Sequence, residues 1–252
     1  ELIFLNQIKY NFMTVNIAIF KIGGKILENR DYLNSTISQL TSIYEKFLIS
    51  KIILIAGGGS YANLIRKVDR KFKLGDNLSH WMAIYTMDIN GRKIGKYFPR
   101  ISKTRQFEDI KKAQRIFTVF LPYRFLKESD ELPHSWAVTS DSITLYLAHK
   151  LGISQCFLIK DVDGIISINN EVLIELTTEE FTKLKSNAKL ASLNLDDEKK
   201  ESKPIDPYLL KIIDKYKIPC IILNGTSSSL RILKYFRLTD DQKKIYTKIK
   251  FS

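Results

Sequence analysis

Cysteine, histidine and proline are scarce in this chain of 252 residues, which has two cysteines, three histidines and six prolines. Cys156 and Cys220 each lie in a short apolar run ("SQCFLI" and "IPCIIL"), which predicts two reduced thiols in buried strands rather than a disulfide or a metal pair. The histidines, His80, His134 and His149, lack the spacing typical of metal ligands. We therefore expect no metal site.

Long apolar runs are also absent. No stretch approaches the roughly 20 residues that cross a bilayer. The opening residues 1–14 mix apolar side chains with Asn, Gln and Lys and lack the cleavage site of a signal peptide. We therefore expect a cytoplasmic protein with no membrane partner, in which an N-terminal extension (1–14) precedes a single domain (15–252).

Acidic residues are fewer than basic ones, 27 against 40, which gives a formal net charge of +13. This balance fits either an anionic partner or a general compositional bias, because Ile, Lys and Asn are abundant throughout. The lysines are spread along the chain rather than interleaved with aromatic residues, as they would be on a nucleic-acid platform. We favour bias over nucleic-acid binding and expect no nucleic-acid partner.

Several well-known catalytic signatures are missing. The sequence has no G-x-x-x-x-G-K-[ST], which excludes a P-loop protein, and no G-x-G-x-x-G fingerprint of a dinucleotide fold. It has no H-R-D or D-F-G of protein kinases and no G-x-S-x-G of a nucleophile elbow. "DVDG" at 161–164 has its glycine in the fourth position, whereas a calcium loop has it in the sixth.

Apolar runs alternate with segments of helical periodicity along the whole chain, which predicts a mainly parallel sheet with helices on both faces. Strands are predicted over 17–22, 51–56, 115–123, 155–160, 171–176 and 218–225. Helices are predicted over 32–48, 60–68 (capped by Ser60), 78–96 (interrupted or kinked at Gly91), 140–152 (capped by Ser140 or Asp141), 177–185, 206–217 and 228–236. Residues 186–204 are predicted to form a polar loop with little packing, and residues 241–252 a basic tail of undetermined structure.

Two predicted strands end in glycines. "IFKIGG" has Lys21 before Gly23 and Gly24, and "ILIAGGG" ends at residues 57–59. Glycine lets backbone N–H groups approach a ligand closely, and such amides before a helix form an anion site. Since ligands bind at the carboxyl ends of parallel strands, the pattern predicts two facing phosphate loops with Lys21 between them. For either loop alone, a simple tight turn is the alternative.

These motifs, followed in order by "LPHSWAVTSDSITLYLAHKLG" and "LIKDVDGI", resemble those of the amino acid kinase superfamily over about residues 17–234. "LPHSWAVTSDSI" and "PIDPYLLKIIDKYKIPCIILNG" look like an archaeal branch that uses ATP to phosphorylate an aminomethylfuran-methyl phosphate. The resemblance implies a three-layer αβα sandwich around a mainly parallel sheet, with ATP and Mg²⁺ as cofactors. It also implies a small phosphorylated or carboxylated metabolite as acceptor, and a homodimer or higher homo-oligomer.

The resemblance further implies roles for single residues. Lys21 would contact the transferred phosphoryl group, and Asp141 would orient the catalytic lysine. The nucleotide would be bound by Gly23, Gly24, Lys160, Asp161, Asp163 and Gly164. The acceptor would be bound by Gly57, Gly58, Gly59, Arg66, Trp136 and Thr139. The lobe up to about residue 150 would bind the acceptor, and the lobe from about residue 151 the nucleotide.

The chain departs from the family pattern at Lys25, where relatives commonly have serine; this lysine would either add a phosphate contact or crowd the loop. Many members supply a second catalytic lysine from the C-terminal lobe, and the candidates here are Lys199, Lys200, Lys203 and Lys211. The sequence shows no evident general base, which fits a phosphate acceptor, already ionised at neutral pH, or a carboxylate. A uridylate or amino-acid kinase of the same superfamily, and a non-catalytic nucleotide- or oxyanion-binding protein, remain alternatives.

Overall fold

Ten strands and ten helices are observed in a computed structural model that describes residues 15–191, 205–226, 228 and 230–252. The predicted N-terminal extension lies outside the described residues, as does most of the polar stretch 186–204, including Lys199, Lys200 and Lys203. No helix in the described ranges is long and apolar enough to cross a membrane.

The strands that form the central sheet are β1 (Val15–Ile22), β2 (Ile49–Ala56), β3 (Ser102–Thr104), β4 (Ile116–Phe120), β5 (Cys156–Lys160), β8 (Glu175–Thr177), β9 (Cys220–Asn224) and β10 (Thr247–Lys250). Their order is β3-β4-β2-β1-β5-β9-β10-β8. Neighbouring strands are parallel except β9 and β10, which are antiparallel. A separate antiparallel pair joins β6 (Ile165–Ile166) to β7 (Val172–Leu173).

Helices cover both faces of this sheet. They are α1 (Gly24–Glu28), α2 (Arg30–Glu45), α3 (Gly59–Phe72), α4 (Asp76–Tyr97), α5 (Phe107–Lys112), α6 (Tyr123–Ser129), α7 (Ser140–Lys150), α8 (Thr178–Ser186), α9 (Pro207–Tyr216) and α10 (Arg231–Arg237). The buried side chains form two cores, with α1, α2 and α10 on one face and α4 to α9 mainly on the other. The predicted α/β fold class, a three-layer αβα sandwich, is confirmed.

The strand alternation decides which β1 side chains meet which helix layer. Ala18, Phe20 and Ile22 belong to the core under α1, α2 and α10, whereas Ile19 belongs to the opposite core. Because successive strand residues point to opposite faces, Lys21 shares the face of Ile19. The strand therefore directs a lysine towards the layer that contains α7.

The C-terminal segment, predicted as a basic tail of undetermined structure, contains the strand β10. Its Thr247 and Ile249 are fully buried, and Lys248 and Lys250 form ion pairs with Glu175 on β8. The four residues "TKIK" thus alternate between core and surface, as a half-buried strand does. The alternation was not recognised in the sequence because its exposed positions are lysines in a segment that is basic throughout.

Two predicted helix caps were wrong. Thr139, rather than Ser140 or Asp141, caps α7, because its Oγ1 accepts a hydrogen bond from the Asp141 N–H at 3.4 Å. Gly58, rather than Ser60, precedes the first residue of α3. Ser60 lies in the first turn, where its N–H donates to the Glu28 carboxylate.

Some predicted element boundaries also differ from the structure. Helix α4 is continuous through Gly91, where a Cβ would lie 2.7 Å from Leu121 Cδ2 and 3.1 Å from Val119 Cγ1; glycine here allows close packing. The predicted strand 171–176 is divided between β7 and β8, which pair with different partners. The third predicted strand is shorter, over β4, and the helix predicted from residue 228 begins at Arg231.

Gly164 packs directly against the C-terminal strand. Its φ is +151°, and a Cβ there would lie 2.2 Å from Thr247 Oγ1. That hydroxyl is already occupied: it accepts from the Ile165 N–H at 2.8 Å and donates to the Leu173 carbonyl at 2.7 Å. Gly164 is therefore needed where β10 meets the β6–β7 hairpin.

We expect Gly164→Ala to lower the free energy of unfolding by about 2–4 kcal/mol, because the methyl group adds a steric clash to an unfavourable backbone conformation. Gly152→Ala is the matched control: its φ is +68°, but no atom lies within 4 Å of its Cβ position. There the cost is about 1–2 kcal/mol from the backbone alone. Urea denaturation measures both values, and equal losses would contradict the proposed role of Gly164 packing.

Candidate active site

The two glycine loops lie side by side at the carboxyl ends of β1 and β2. These strands are adjacent and parallel, and Ile22 is paired with Ala56 at their ends. The loops are in contact, since a Cβ on Gly24 would lie 3.0 Å from the Gly59 Cα. Gly59 also has a φ of +55°, a left-handed conformation that favours glycine. A side chain larger than that of glycine at Gly24 would therefore push the two loops apart.

Not all of the loop amides are available to a ligand. The Gly23 N–H donates to the Ile159 carbonyl and the Gly57 N–H to the Ile22 carbonyl, each at 2.9 Å. These two bonds extend the sheet ladders by one residue. The amides that donate to no acceptor in the described part of the chain include those of Gly24, Gly58 and Gly59.

Two polar side chains that sequence reasoning missed hold the second loop. Asn90, buried on α4, donates through Nδ2 to the carbonyls of Gly57 and Gly58 at 2.8 and 3.0 Å. Glu28, at the end of α1, accepts from the Ser60 N–H in the first turn of α3. Because Asn90 binds the carbonyls of Gly57 and Gly58, the peptide planes of the loop are fixed, and so is the direction of its free N–H groups.

A buried carboxylate lies between two lysines beside these loops. Asp141 Oδ1 is 2.9 Å from Lys21 Nζ, and Asp141 Oδ2 is 2.7 Å from Lys160 Nζ. Lys21 pairs with Leu158 in the sheet register, and Lys160 follows two residues later on β5. The two-residue period of strands thus brings both lysines to one face, under the first turn of α7.

The two lysine contacts differ in geometry. Lys160 Nζ donates a hydrogen bond to Asp141 Oδ2. Lys21 Nζ forms an ion pair with Oδ1, but the angles of this contact do not meet those of a hydrogen bond. Among the described residues, Lys21 has no other anionic partner. Its N–H donors are therefore available to an anionic ligand at the loops.

Burial and charge act in opposite directions on this triad. Burial would raise the pKa of the Asp141 carboxyl, but Lys160 and Lys21 outweigh it and lower that pKa from 3.8 to about 2. Burial lowers the pKa of Lys21, with a contribution from Lys160, although Asp141 opposes the change. For Lys160 burial also lowers the pKa, but Asp141 reverses the direction and the pKa is raised. At neutral pH Asp141 is therefore a carboxylate.

The loop after β5 contains two further acidic residues, and each has a cationic partner. Asp161 Oδ2 is 3.0 Å from Lys25 Nζ, a lysine that is 68 % exposed. Asp163 accepts two hydrogen bonds from Arg231, one from Nε at 2.9 Å and one from Nη2 at 3.2 Å. Lys25 thus joins the first glycine loop to the loop after β5 rather than crowding its own loop.

The remaining predicted acceptor residues lie around the start of α7 and on α3. The Arg66 guanidinium lies 4.6 Å from the centre of the Trp136 ring, and Trp136 Nε1 donates to Asp69 at 2.8 Å. The hydroxyl of Thr139 donates to Asp206 at 2.8 Å while it caps α7. Acceptor binding by these residues stays a prediction.

Of the four candidates for a second catalytic lysine, Lys199, Lys200 and Lys203 lie outside the described residues, so that role stays a prediction. Lys211, one of the four candidates, is exposed on α9. The lysine that shares Asp141 with Lys21 is Lys160, which the sequence had assigned to nucleotide binding. The available sequence signal was its position at the end of a buried apolar strand; its alignment with Lys21 depends on the strand register.

The described residues contain no cluster of three or more His, Cys, Asp or Glu side chains that could hold a metal ion. Among the acidic groups near the loops, Asp141, Asp161 and Asp163 each have a lysine or arginine partner, whereas Glu28 accepts from a backbone N–H. Cys156 and Cys220 are both free thiols and fully buried. The prediction of two reduced core thiols agrees with this arrangement.

Comparisons with known proteins give one family match, one sequence relative and several structural neighbours. The sequence profile of the amino acid kinase family matches residues 16–224. A [5-(aminomethyl)furan-3-yl]methyl phosphate kinase from Methanocaldococcus jannaschii is 28 % identical over 236 residues, 92 % of this chain and 96 % of that protein. Among solved structures, the uridylate kinase of Archaeoglobus fulgidus has a TM-score of 0.62 at 15 % identity and covers 93 % of this chain and 100 % of its own. The UMP kinase of Ureaplasma parvum has the same TM-score at 16 % identity, covering 94 % of this chain and 99 % of its own.

We expect Asp141→Asn to lower the free energy of unfolding at pH 7 by about 3–5 kcal/mol, because two buried ammonium groups lose their carboxylate. Without that carboxylate the raised pKa of Lys160 falls below its unfolded value and the already lowered pKa of Lys21 falls further, so protonation favours the unfolded state. The stability deficit must then shrink as the pH rises from 7 towards 10. Urea denaturation of wild type and variant across this range measures the deficit.

Asp163→Asn is the matched control, since its partner Arg231 stays charged throughout this range. Its smaller deficit should not change between pH 7 and 10. A deficit of Asp141→Asn that is equally independent of pH would contradict the account of the lysine pair.

Proposed function

Because the chain belongs to the amino acid kinase family, we propose that it transfers the γ-phosphoryl group of ATP to a phosphate monoester and so forms a diphosphate. The observation that carries this proposal is the Lys21–Asp141–Lys160 triad beside two touching glycine loops. Two ammonium groups and several free amides converge there at the carboxyl ends of adjacent strands. Such a site suits a transferred group whose negative charge is shared among several oxygens.

In the proposed reaction an oxygen of the acceptor phosphate attacks the γ-phosphorus of ATP. The bond from that phosphorus to the β,γ-bridging oxygen breaks, and ADP leaves with the bonding electrons. Lys21 and Lys160 donate hydrogen bonds to oxygens of the γ-phosphoryl group, and the free amides of Gly24, Gly58 and Gly59 provide further donors. These groups stabilise the charge without moving a proton.

Asp141 acts in this scheme as the residue that positions the lysines and not as a general base. Its pKa is lowered from 3.8 to about 2, and each of its oxygens faces a lysine, so it is a poor proton acceptor at neutral pH. A phosphate acceptor does not need a base, because its second pKa is about 6 and it is mostly dianionic at neutral pH. An alcohol acceptor would need one.

The family implies Mg²⁺ with ATP, but the described side chains do not form a metal site. Of the carboxylates near the loops, Asp141, Asp161 and Asp163 are ion-paired with lysine or arginine, and Glu28 accepts from the Ser60 N–H. Magnesium commonly binds through substrate phosphates and water, with few protein ligands. We therefore assign no step of the reaction to protein-bound metal and propose that Mg²⁺ enters with the nucleotide.

The relative from Methanocaldococcus jannaschii supports a phosphate monoester as acceptor, with an aminomethylfuran compound as the first to test. We propose that the lobe up to about residue 150 binds the acceptor near the second glycine loop. The nucleotide then lies over the ends of β5 and β9, where Asp161 and Asp163 are held by Lys25 and Arg231. In this arrangement donor and acceptor meet at the two glycine loops.

The test is ATP turnover with a panel of acceptors: [5-(aminomethyl)furan-3-yl]methyl phosphate, simpler phosphate monoesters, UMP and aspartate. We expect turnover with a phosphate monoester, and a fall in kcat of about 10²–10³ in both Lys21→Met and Lys160→Met, since each removes a charged donor to the transferred group. Lys211→Met is the matched control, because this lysine is exposed on α9.

Each negative outcome has a distinct meaning. Turnover with UMP or aspartate alone would replace the proposed acceptor but keep the kinase. Tight ATP binding with no transfer to any acceptor would favour a non-catalytic binding protein. Activity of Lys160→Met equal to that of Lys211→Met would show that Lys21 acts without the second lysine.

A further inference from the structure

A second buried carboxylate, Asp206, joins the start of α7 to the start of α9. It caps α9 by accepting from the Leu209 N–H at 2.8 Å. It also accepts from the N–H and hydroxyl of Thr139, at 3.1 and 2.8 Å. The N–H of Ser142, at 3.0 Å, and the Ser142 hydroxyl complete five hydrogen bonds to one carboxylate.

The residues bound by Asp206 flank Asp141 in sequence. Thr139 lies two positions before it and Ser142 one position after it, so the backbone on both sides of Asp141 is attached to one group on another element. Asp206 is only 6 % exposed, and burial together with the nearby Asp141 raises the pKa of its carboxyl. The hydrogen bonds from Ser142 and Thr139, at the start of α7, act in the opposite direction and favour the carboxylate. The first turn of α7 cannot shift without breaking some of these bonds.

We propose that Asp206 is a positioning residue of the phosphotransfer site: it fixes the first turn of α7 so that the Asp141 carboxylate spans Lys21 and Lys160, and its charge balances the second lysine. The part of this inference that concerns catalysis rests on the proposed function. The geometry on which it stands does not depend on the identity of the acceptor.

The charges support this role. Two lysines and two carboxylates are buried together, so the cluster is neutral with Asp206 and carries one positive charge without it. Burial lowers the pKa of Lys160, while Asp141 and, more weakly, Asp206 and Cys220 raise it. The ionisable groups that influence one another in this cluster are Lys21, Lys160, Asp141, Asp206, Cys220 and Cys156. Removal of the Asp206 charge must therefore lower the pKa of Lys160.

The test variant is Asp206→Asn, which keeps the size of the side chain but removes its charge and replaces one acceptor oxygen with a donor. We expect kcat to fall about tenfold to a hundredfold, as for a small displacement of catalytic groups. KM for ATP and for the acceptor should change by no more than about twofold, because Asp206 is not assigned a contact with either substrate. The basic limb of the kcat profile should move to lower pH.

Asp214→Asn is the matched control on the same helix. Asp214 also accepts hydrogen bonds, from the Thr178 hydroxyl at 2.7 Å and the Ser252 N–H at 3.1 Å, but none from α7. This variant should lose thermal stability while kcat and its pH profile stay as in wild type. A decrease in kcat of Asp206→Asn no larger than that of Asp214→Asn would overturn the proposal.

A second measurement separates this inference from the proposed reaction. In protein labelled with ¹³C at lysine Cε, NMR titration reports the protonation of Lys160 and Lys21, assigned through Lys160→Met and Lys21→Met. Asp206→Asn should lower the titration midpoint of Lys160 even if no acceptor is ever phosphorylated; an unchanged midpoint would overturn the proposal. If Asp206→Asn does not fold, Ser142→Ala removes one donor to the same carboxylate and is judged by the same kcat comparison.

Discussion

The structure depends on one buried carboxylate shared by two lysines from neighbouring strands. Removal of three charged groups from water costs free energy, and such a cluster persists only where geometry and hydrogen bonding are good. Here the sheet register brings Lys21 and Lys160 to one face, and α7 presents Asp141 between them. The result is a rigid pair of cations whose separation is set by backbone structure rather than by flexible side chains.

The other residues of the site hold Lys21 and Lys160 beside the two glycine loops. Asn90 holds the second loop from behind, and glycines allow the loops to touch without intervening side chains. Asp206 attaches the helix that carries Asp141 to α9. Preorganised donors of this kind need little rearrangement when charge develops on a transferred group, which suits the proposed phosphoryl transfer.

Local sequence patterns predicted a large part of this arrangement. Continuous apolar runs ending in glycine predicted the central strands and the paired loops; Lys21 was singled out by the first glycine motif, and Asp141 by the family resemblance. The pairing of Lys160 with Asp141 was missed because it depends on strand register, which one-dimensional patterns do not give. Asp206 was missed for a similar reason: the groups it binds on α7 are 64 and 67 residues away in sequence. Strand β10 was not predicted because its lysines made the segment look like a basic tail.

The central claim is that both lysines contact the group being transferred, and a crystal structure with a non-hydrolysable ATP analogue tests it most directly. The account predicts the γ-phosphate at the glycine loops, with Lys21 Nζ and Lys160 Nζ each about 2.7–3.2 Å from its oxygens. A γ-phosphate bound away from both lysines, with the Asp141 ion pairs unchanged, would contradict it.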